Sequence, residues 1–171
     1  MPTLLLARHA KSSWDHPSLT DHDRPLNDRG RRAAPLVGAA LREGGWIPDL
    51  VYSSTSVRTR ETWALLGEAL GDGPEVEFQQ DLYLASPGTM FGAIQSAPPD
   101  TSTLMILAHN PGTHALAVGL ASTGPTDDLR ALRMKFPTGA VAVLEFDQDR
   151  WGEIDDQGRL LTFIQPRHLS D

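Results

Sequence analysis

The chain has 171 residues, 40% of them hydrophobic and 22% charged, with a formal net charge of −7; that length fits a single domain, expected over residues 1–171, with a sizeable core. The acidic balance argues against charge-driven binding to nucleic acid or an anionic membrane, so a local gathering of arginines would mark a specific anion site. No apolar run approaches the ~18 residues of a membrane span, no signal-peptide core is present, and the lack of cysteine excludes disulfides and thiolate chemistry and fits a cytoplasmic location.

Leu4 to Ala7 is a short apolar run, bounded by polar residues, that reads as a buried strand. It ends in Arg8-His9, and in an open α/β sheet ligands bind beyond the carboxyl ends of the strands. Lys11 to Pro25 is a polar loop, long enough to be functional. Its His16 and His22 lack any metal-ligand spacing, so no metal site is expected. Asn27 suits an N-cap, and Ala33, Leu36, Val37, Ala40 and Leu41 recur on one helical face. Gly44-Gly45 stops that helix, while Pro35 inside it should kink it or shift its start.

Leu50 to Tyr52 forms a second strand, and the serines after it cap a helix bearing Thr62, Leu65, Leu66, Ala69 and Leu70 on one face. Arg58 falls in its first turns. Ser86-Pro87 opens a short helix with Met90, Phe91 and Ile94 inside. Thr103 to Ala108 is the most continuous apolar strand and ends in His109-Asn110, with a helix from Pro111 to about Leu120. Thr123 to Lys135 reads as a polar connection. Ala140 to Phe146 and Leu160 to Ile164 read as antiparallel strands at a sheet edge or in a hairpin. The alternation of strand and helix defines an α/β fold with a largely parallel sheet.

Three strands thus end in polar side chains: Arg8-His9, Ser53-Ser54 with Arg58 beyond, and His109-Asn110. If they are parallel neighbours, these groups share one rim. Two arginines supply permanently charged forks of donors, and a neutral histidine is a competent nucleophile. Backbone N–H groups at helix starts would add to the anion site. The set suits a phosphoryl group.

The same residues carry a family resemblance. Leu6-Ala7-Arg8-His9-Ala10 resembles the signature of the histidine phosphatase superfamily, and Ala10-Lys11-Ser12 resembles its phosphohistidine phosphatase (SixA-type) branch. Arg24-Pro25-Leu26-Asn27-Asp28-Arg29-Gly30, Ser54-Thr55-Ser56-Val57-Arg58-Thr59-Arg60-Glu61-Thr62, Ala108-His109-Asn110-Pro111-Gly112 and Phe136-Pro137-Thr138-Gly139 resemble further family segments in order. The resemblance implies a phosphoglycerate mutase-like α/β fold: three layers, a largely parallel central sheet with helices on both faces, and antiparallel strands near the C-terminus.

It also implies roles. His9 would be the nucleophile that carries the phosphoryl group, with Arg8, Arg58 and His109 binding its oxygens. Lys11 and Asn110 are candidate substrate-binding residues, and no metal or cofactor is required. Many relatives carry a mid-chain glutamate as proton donor, where this chain reads Gln79-Gln80-Asp81-Leu82-Tyr83-Leu84-Ala85-Ser86. Asp81 is therefore the candidate donor, with a surface turn as its alternative role. A missing acid would matter least for a phosphoramidate. The expected activity is hydrolysis of protein phosphohistidine, with small phosphoesters, or phosphate binding without catalysis, as alternatives. Arg60 and His114 read as surface or packing residues, Trp14 as a pocket border or loop anchor, and Ser53 and Ser54 as caps.

Overall fold

The structure, a computed structural model, describes residues 1–170. In chain order it runs β1 (Thr3–Arg8), α1 (Asp28–Glu43), β2 (Leu50–Ser54), α2 (Val57–Leu70), β3 (Glu75–Gln79), α3 (Pro87–Gln95), β4 (Thr103–Ala108), α4 (Gly112–Leu120), β5 (Ala121–Thr123), α5 (Thr126–Met134), β6 (Val141–Glu145) and β7 (Gly158–Ile164). The strands form one seven-stranded sheet in the order β3-β2-β4-β1-β6-β7-β5. The strands β3, β2, β4 and β1 are mutually parallel. β6 runs antiparallel to both β1 and β7.

The continuous apolar runs follow from burial on both faces, as a sheet covered by helices on each side requires. Side chains of a strand alternate between faces. Leu4 and Leu6 accordingly join Ile106, Met90, Ile94 and Leu116 in one core, on the side of α3, α4 and α5. Leu5 and Ala7 join Met105, Val37, Leu41 and Leu66 in the other, against α1 and α2. The central position of β1 places its end in the middle of the rim, with Arg8 in register with Ala108.

Several expectations are corrected. Residues 123–135 are not a mere polar connection but contain α5, whose Asp127 and Asp128 lie in the first turn and Arg133 in the last. Its inward face rests on Leu132, fully buried, and Leu129, while its two aspartates and two arginines give the segment its polar look. Of the two placements expected for 140–146 and 160–164, the hairpin holds: β6 and β7 pair antiparallel, β6 lies beside β1, and the short β5 takes the edge. The strands β3 and β5 were not anticipated. β3 is mostly exposed along its length, and β5 has only three residues, so neither shows an apolar run. Pro35 lies inside α1, which nevertheless begins at Asp28, directly after the Asn27 cap.

The loop between β1 and α1 is tied at its base. Ser12 bridges Leu26, Ser13 N–H donates to the Pro25 carbonyl at 2.8 Å, and Asn27 N–H to the Lys11 carbonyl at 3.0 Å. Gly30 lets α1 begin against that strand exit, since a Cβ there would sit 2.2 Å from the Lys11 carbonyl oxygen. Gly112 plays the same part for α4 against the Ala85 carbonyl, also at 2.2 Å.

Candidate active site

The ends of β1, β2 and β4 frame one cavity of about 190 Å³, into which Arg8, His9, Arg58 and His109 project. Lys11 and Asn110 also line it, with Thr138, the buried Arg24 and the exposed Trp14 and Leu84. Drug-sized ligand sites run to roughly 300 Å³ and more, so this cavity has room for a phosphoryl group, with whatever carries it left at the opening.

His9 is buried, and its ring is fixed by a 2.8 Å hydrogen bond between Nδ1 and the Ala10 carbonyl. A carbonyl only accepts, so Nδ1 carries the proton and Nε2 keeps a free lone pair. Burial, helped by the charges of Arg58, Arg8 and Arg24, outweighs the Ala10 hydrogen bond and lowers the ring's pKa to about 3. His109 is likewise lowered to about 3 by burial first, then by His9, Arg58 and Arg8, against the opposing pull of Asp21. Both rings are therefore neutral at pH 7. They lie 5.3 Å apart between centroids.

The guanidiniums are held from behind. Arg8 Nη1 donates to the Phe136 carbonyl at 3.0 Å, an acceptor it shares with Asn110 Nδ2 at 3.0 Å. The turn supplying that carbonyl is itself bound to the end of β1, through Gly139 N–H to the His9 carbonyl at 2.8 Å. Arg58 donates through Nη1 to the Asp21 carbonyl at 2.7 Å and through Nη2 to Asp21 Oδ2 at 3.0 Å. Arg24 donates from Nε to Asp21 Oδ1 at 3.2 Å and from Nη1 to Ser12 Oγ at 2.9 Å. Trp14 covers Arg24, with the guanidinium carbon 3.5 Å from a ring centroid. The Nε atoms of Arg8 and Arg58 are buried without partners.

Asp21 thus binds two arginines, and Tyr83 donates its hydroxyl to Oδ2 as well. Burial alone would raise its carboxyl, but the hydrogen bonds from Tyr83, Arg58 and Arg24 and the charge of Arg58 overcome this and bring it down to about 2. Neighbouring segments have bracing duties. Thr62 Oγ1 accepts from Ala10 N–H at 2.9 Å and donates to the Arg58 carbonyl at 2.7 Å. Glu61 accepts from Leu26 N–H at 2.8 Å.

Asp81 is the one candidate that the structure leaves outside. It lies exposed on the short turn 80–82, next to the fully buried Leu82, and does not line the cavity. Anchoring Leu82 in the core turns its neighbour out to solvent, and Leu84 lines the cavity instead. Arg60 is exposed over Phe78, and His114 bonds the Leu132 carbonyl through Nε2. Arg24, Asp21 and Tyr83 had no role assigned from sequence. For Arg24 the only signal was the segment Arg24–Gly30; for the other two, nothing in spacing singled them out. Among the described residues, no group of three or more His, Asp or Glu side chains is placed to hold a metal ion.

An α/β sheet whose strand ends gather arginines and neutral histidines around a small cavity has the donors and the space that a phosphoryl group requires. The model of the histidine phosphatase superfamily (branch 1) matches residues 4–93. An uncharacterized protein of Mycobacterium tuberculosis is 40% identical over 163 residues, covering 94% of this chain and 99% of the relative. Among solved structures, the candidate phosphohistidine phosphatase SixA of Agrobacterium tumefaciens superposes with a TM-score of 0.82 at 29% identity, covering 97% of this chain and 99% of that one. A candidate SixA from Nakamurella multipartitia gives 0.84 at 29% identity, with 96% of each chain covered. The chain belongs to the histidine phosphatase superfamily and has the fold of its SixA-type branch.

Proposed function

We propose that this protein is a phosphatase that forms a phosphohistidine at His9 and acts on phosphohistidine in other proteins. The observation that carries the reading is the neutral His9 ring, its Nδ1–H held by Ala10 and its Nε2 free in an arginine-lined cavity. In the first step the Nε2 lone pair forms a bond to phosphorus in line with the leaving group. The bond from phosphorus to the substrate nitrogen breaks, and its electron pair returns to that imidazole. Arg8, Arg58 and His109 offset the charge on the phosphoryl oxygens. Because Ala10 keeps a proton on Nδ1, the phosphorylated ring is cationic. Water then attacks phosphorus, and His9 departs as neutral imidazole while phosphate is released.

The choice of substrate rests on the cavity wall, which contains no carboxyl group. An alcohol leaving group needs a proton as its bond to phosphorus breaks. A phosphorylated imidazole can already carry one on its second nitrogen, so it leaves without a donor from the enzyme. The names of the similar SixA structures support the same substrate class. The cysteine-free sequence supports action in the reducing cytoplasm.

The test compares phosphate release from a phosphohistidine protein and from a panel of phosphoesters, for the wild type and His9→Ala. Loss of at least ~10³-fold in the variant, as for other removed nucleophiles, with preference for the phosphoramidate, is expected. Unchanged turnover by His9→Ala would overturn the nucleophile assignment, and faster turnover of phosphoesters would overturn the substrate assignment.

A further inference from the structure

We propose that Ser54 is a positioning residue that fixes the tautomer of His109, so that the Nδ1–H of that ring points into the cavity as a hydrogen-bond donor. The inference rests on the phosphoryl-binding role proposed for the cavity. Ser54 is the last residue of β2 and fully buried, and His109, just past the end of β4, is 2% exposed. Their side chains meet at 2.8 Å, Nε2 to Oγ. The other ring nitrogen, Nδ1, is buried without a partner on a ring that lines the cavity.

The direction of the Ser54–His109 bond decides what Nδ1 can do. Ser54 Oγ already accepts the Ser56 N–H at 3.3 Å, so its hydroxyl proton needs an acceptor, and Nε2 is the one in reach. If Nε2 carried the proton instead, the Ser54 hydroxyl hydrogen would be buried with nowhere to go. Nδ1 would then present a lone pair to any anion in the cavity. Both consequences are unfavourable: one strands a buried donor, and the other sets a lone pair against phosphoryl oxygens. With the hydroxyl donating to Nε2, the one hydrogen of the pair without a partner is the Nδ1–H, and a phosphoryl oxygen in the cavity would accept it, so that in the filled site every hydrogen of the pair is used.

His9 is fixed in the same tautomer to the opposite end. Both rings carry the proton on Nδ1, but the Ala10 carbonyl consumes it in His9, leaving a lone pair, whereas Ser54 occupies Nε2 of His109, leaving an N–H. One histidine is thereby equipped for phosphorus and the other for oxygen. A histidine in the wrong tautomer costs up to about 10⁴ in kcat in serine proteases, so the choice is not a minor one.

The experiment records ¹⁵N resonances of the His109 ring at neutral pH in the wild type and Ser54→Ala, assigned by difference against His109→Gln, and titrates each with inorganic phosphate. The wild type should show a protonated Nδ1 and an unprotonated Nε2. Ser54→Ala should show mixed tautomers and at least ~10-fold weaker phosphate binding, as expected for a lost buried hydrogen bond. A proton on Nε2 in the wild type, or a variant with an unmoved tautomer or unchanged phosphate affinity, would overturn the proposal. Both readings are made without turnover. A wild type that binds phosphate but hydrolyses nothing would defeat the phosphatase reading alone, and the spectra would still decide the role of Ser54.

Discussion

Replacing Asp21 by Asn keeps the side chain's shape but removes the charge that holds two arginines and accepts from Tyr83. The folded carboxyl titrates at about 2 against an ordinary 3.8, a difference worth roughly 2.4 kcal/mol at 1.36 kcal/mol per pH unit. The side chain is 42% exposed, so solvent screening reduces this to about 1 kcal/mol. A depressed carboxyl contributes its full stability above the unfolded value and loses it as the pH falls toward the folded one. Urea unfolding of wild type and variant should therefore differ by about 1 kcal/mol at pH 7, with roughly half of that gone by pH 3. Activity at pH 7 should fall about 10-fold as Arg58 and Arg24 lose their shared anchor. A stability gap that stays constant from pH 7 to pH 3 would refute the assignment of Asp21 as the ionised clamp.

The two neutral histidines give the wild type its own acid sensitivity. Their folded pKa values, about 3, lie below the unfolded value of about 6.5, so the unfolded chain binds more protons between these limits and stability falls as the pH drops from about 6.5 toward 3. Chemical denaturation across that window should show the decline, and His9→Gln with His109→Gln should flatten it. Gly30→Ala, whose Cβ would meet the Lys11 carbonyl at 2.2 Å, should cost about 1–3 kcal/mol, read as a lowered thermal midpoint.

What was legible in the sequence was what repeats or stands beside an apolar run. The strands β1, β2 and β4 showed because each is buried on both faces, and their polar ends made Arg8, His9 and His109 candidates by position, with roles supplied by the family resemblance. The strand β3 was illegible because it is mostly exposed, and the helix α5 because two aspartates and two arginines in nine residues outweigh its short apolar face. Asp21 and Arg24 were hidden for another reason. Their partners lie far along the chain, Asp21 reaching Arg58 and Tyr83, and no local pattern encodes such pairings. Ser54 looked like a cap since serines before a helix usually are; its neighbour Ser56 caps α2 by accepting from Thr59 N–H, while Ser54 turns to His109.

The same carboxylate that eluded the sequence sharpens the question of the leaving group. Asp21 contacts two of the site's arginines, yet at a pKa of about 2 it is ionised throughout the physiological range and has no proton to give. Asp81 lies outside the cavity altogether. Tyr83 is raised by burial first and then by its bond to Asp21, and its hydroxyl hydrogen is already committed to that carboxylate. The acidic side chains of this site are thus spent on holding cations in place. A cavity so built has donors for phosphoryl oxygens but no acid for a leaving alkoxide, which supports the proposal of a substrate whose leaving nitrogen arrives with its own proton.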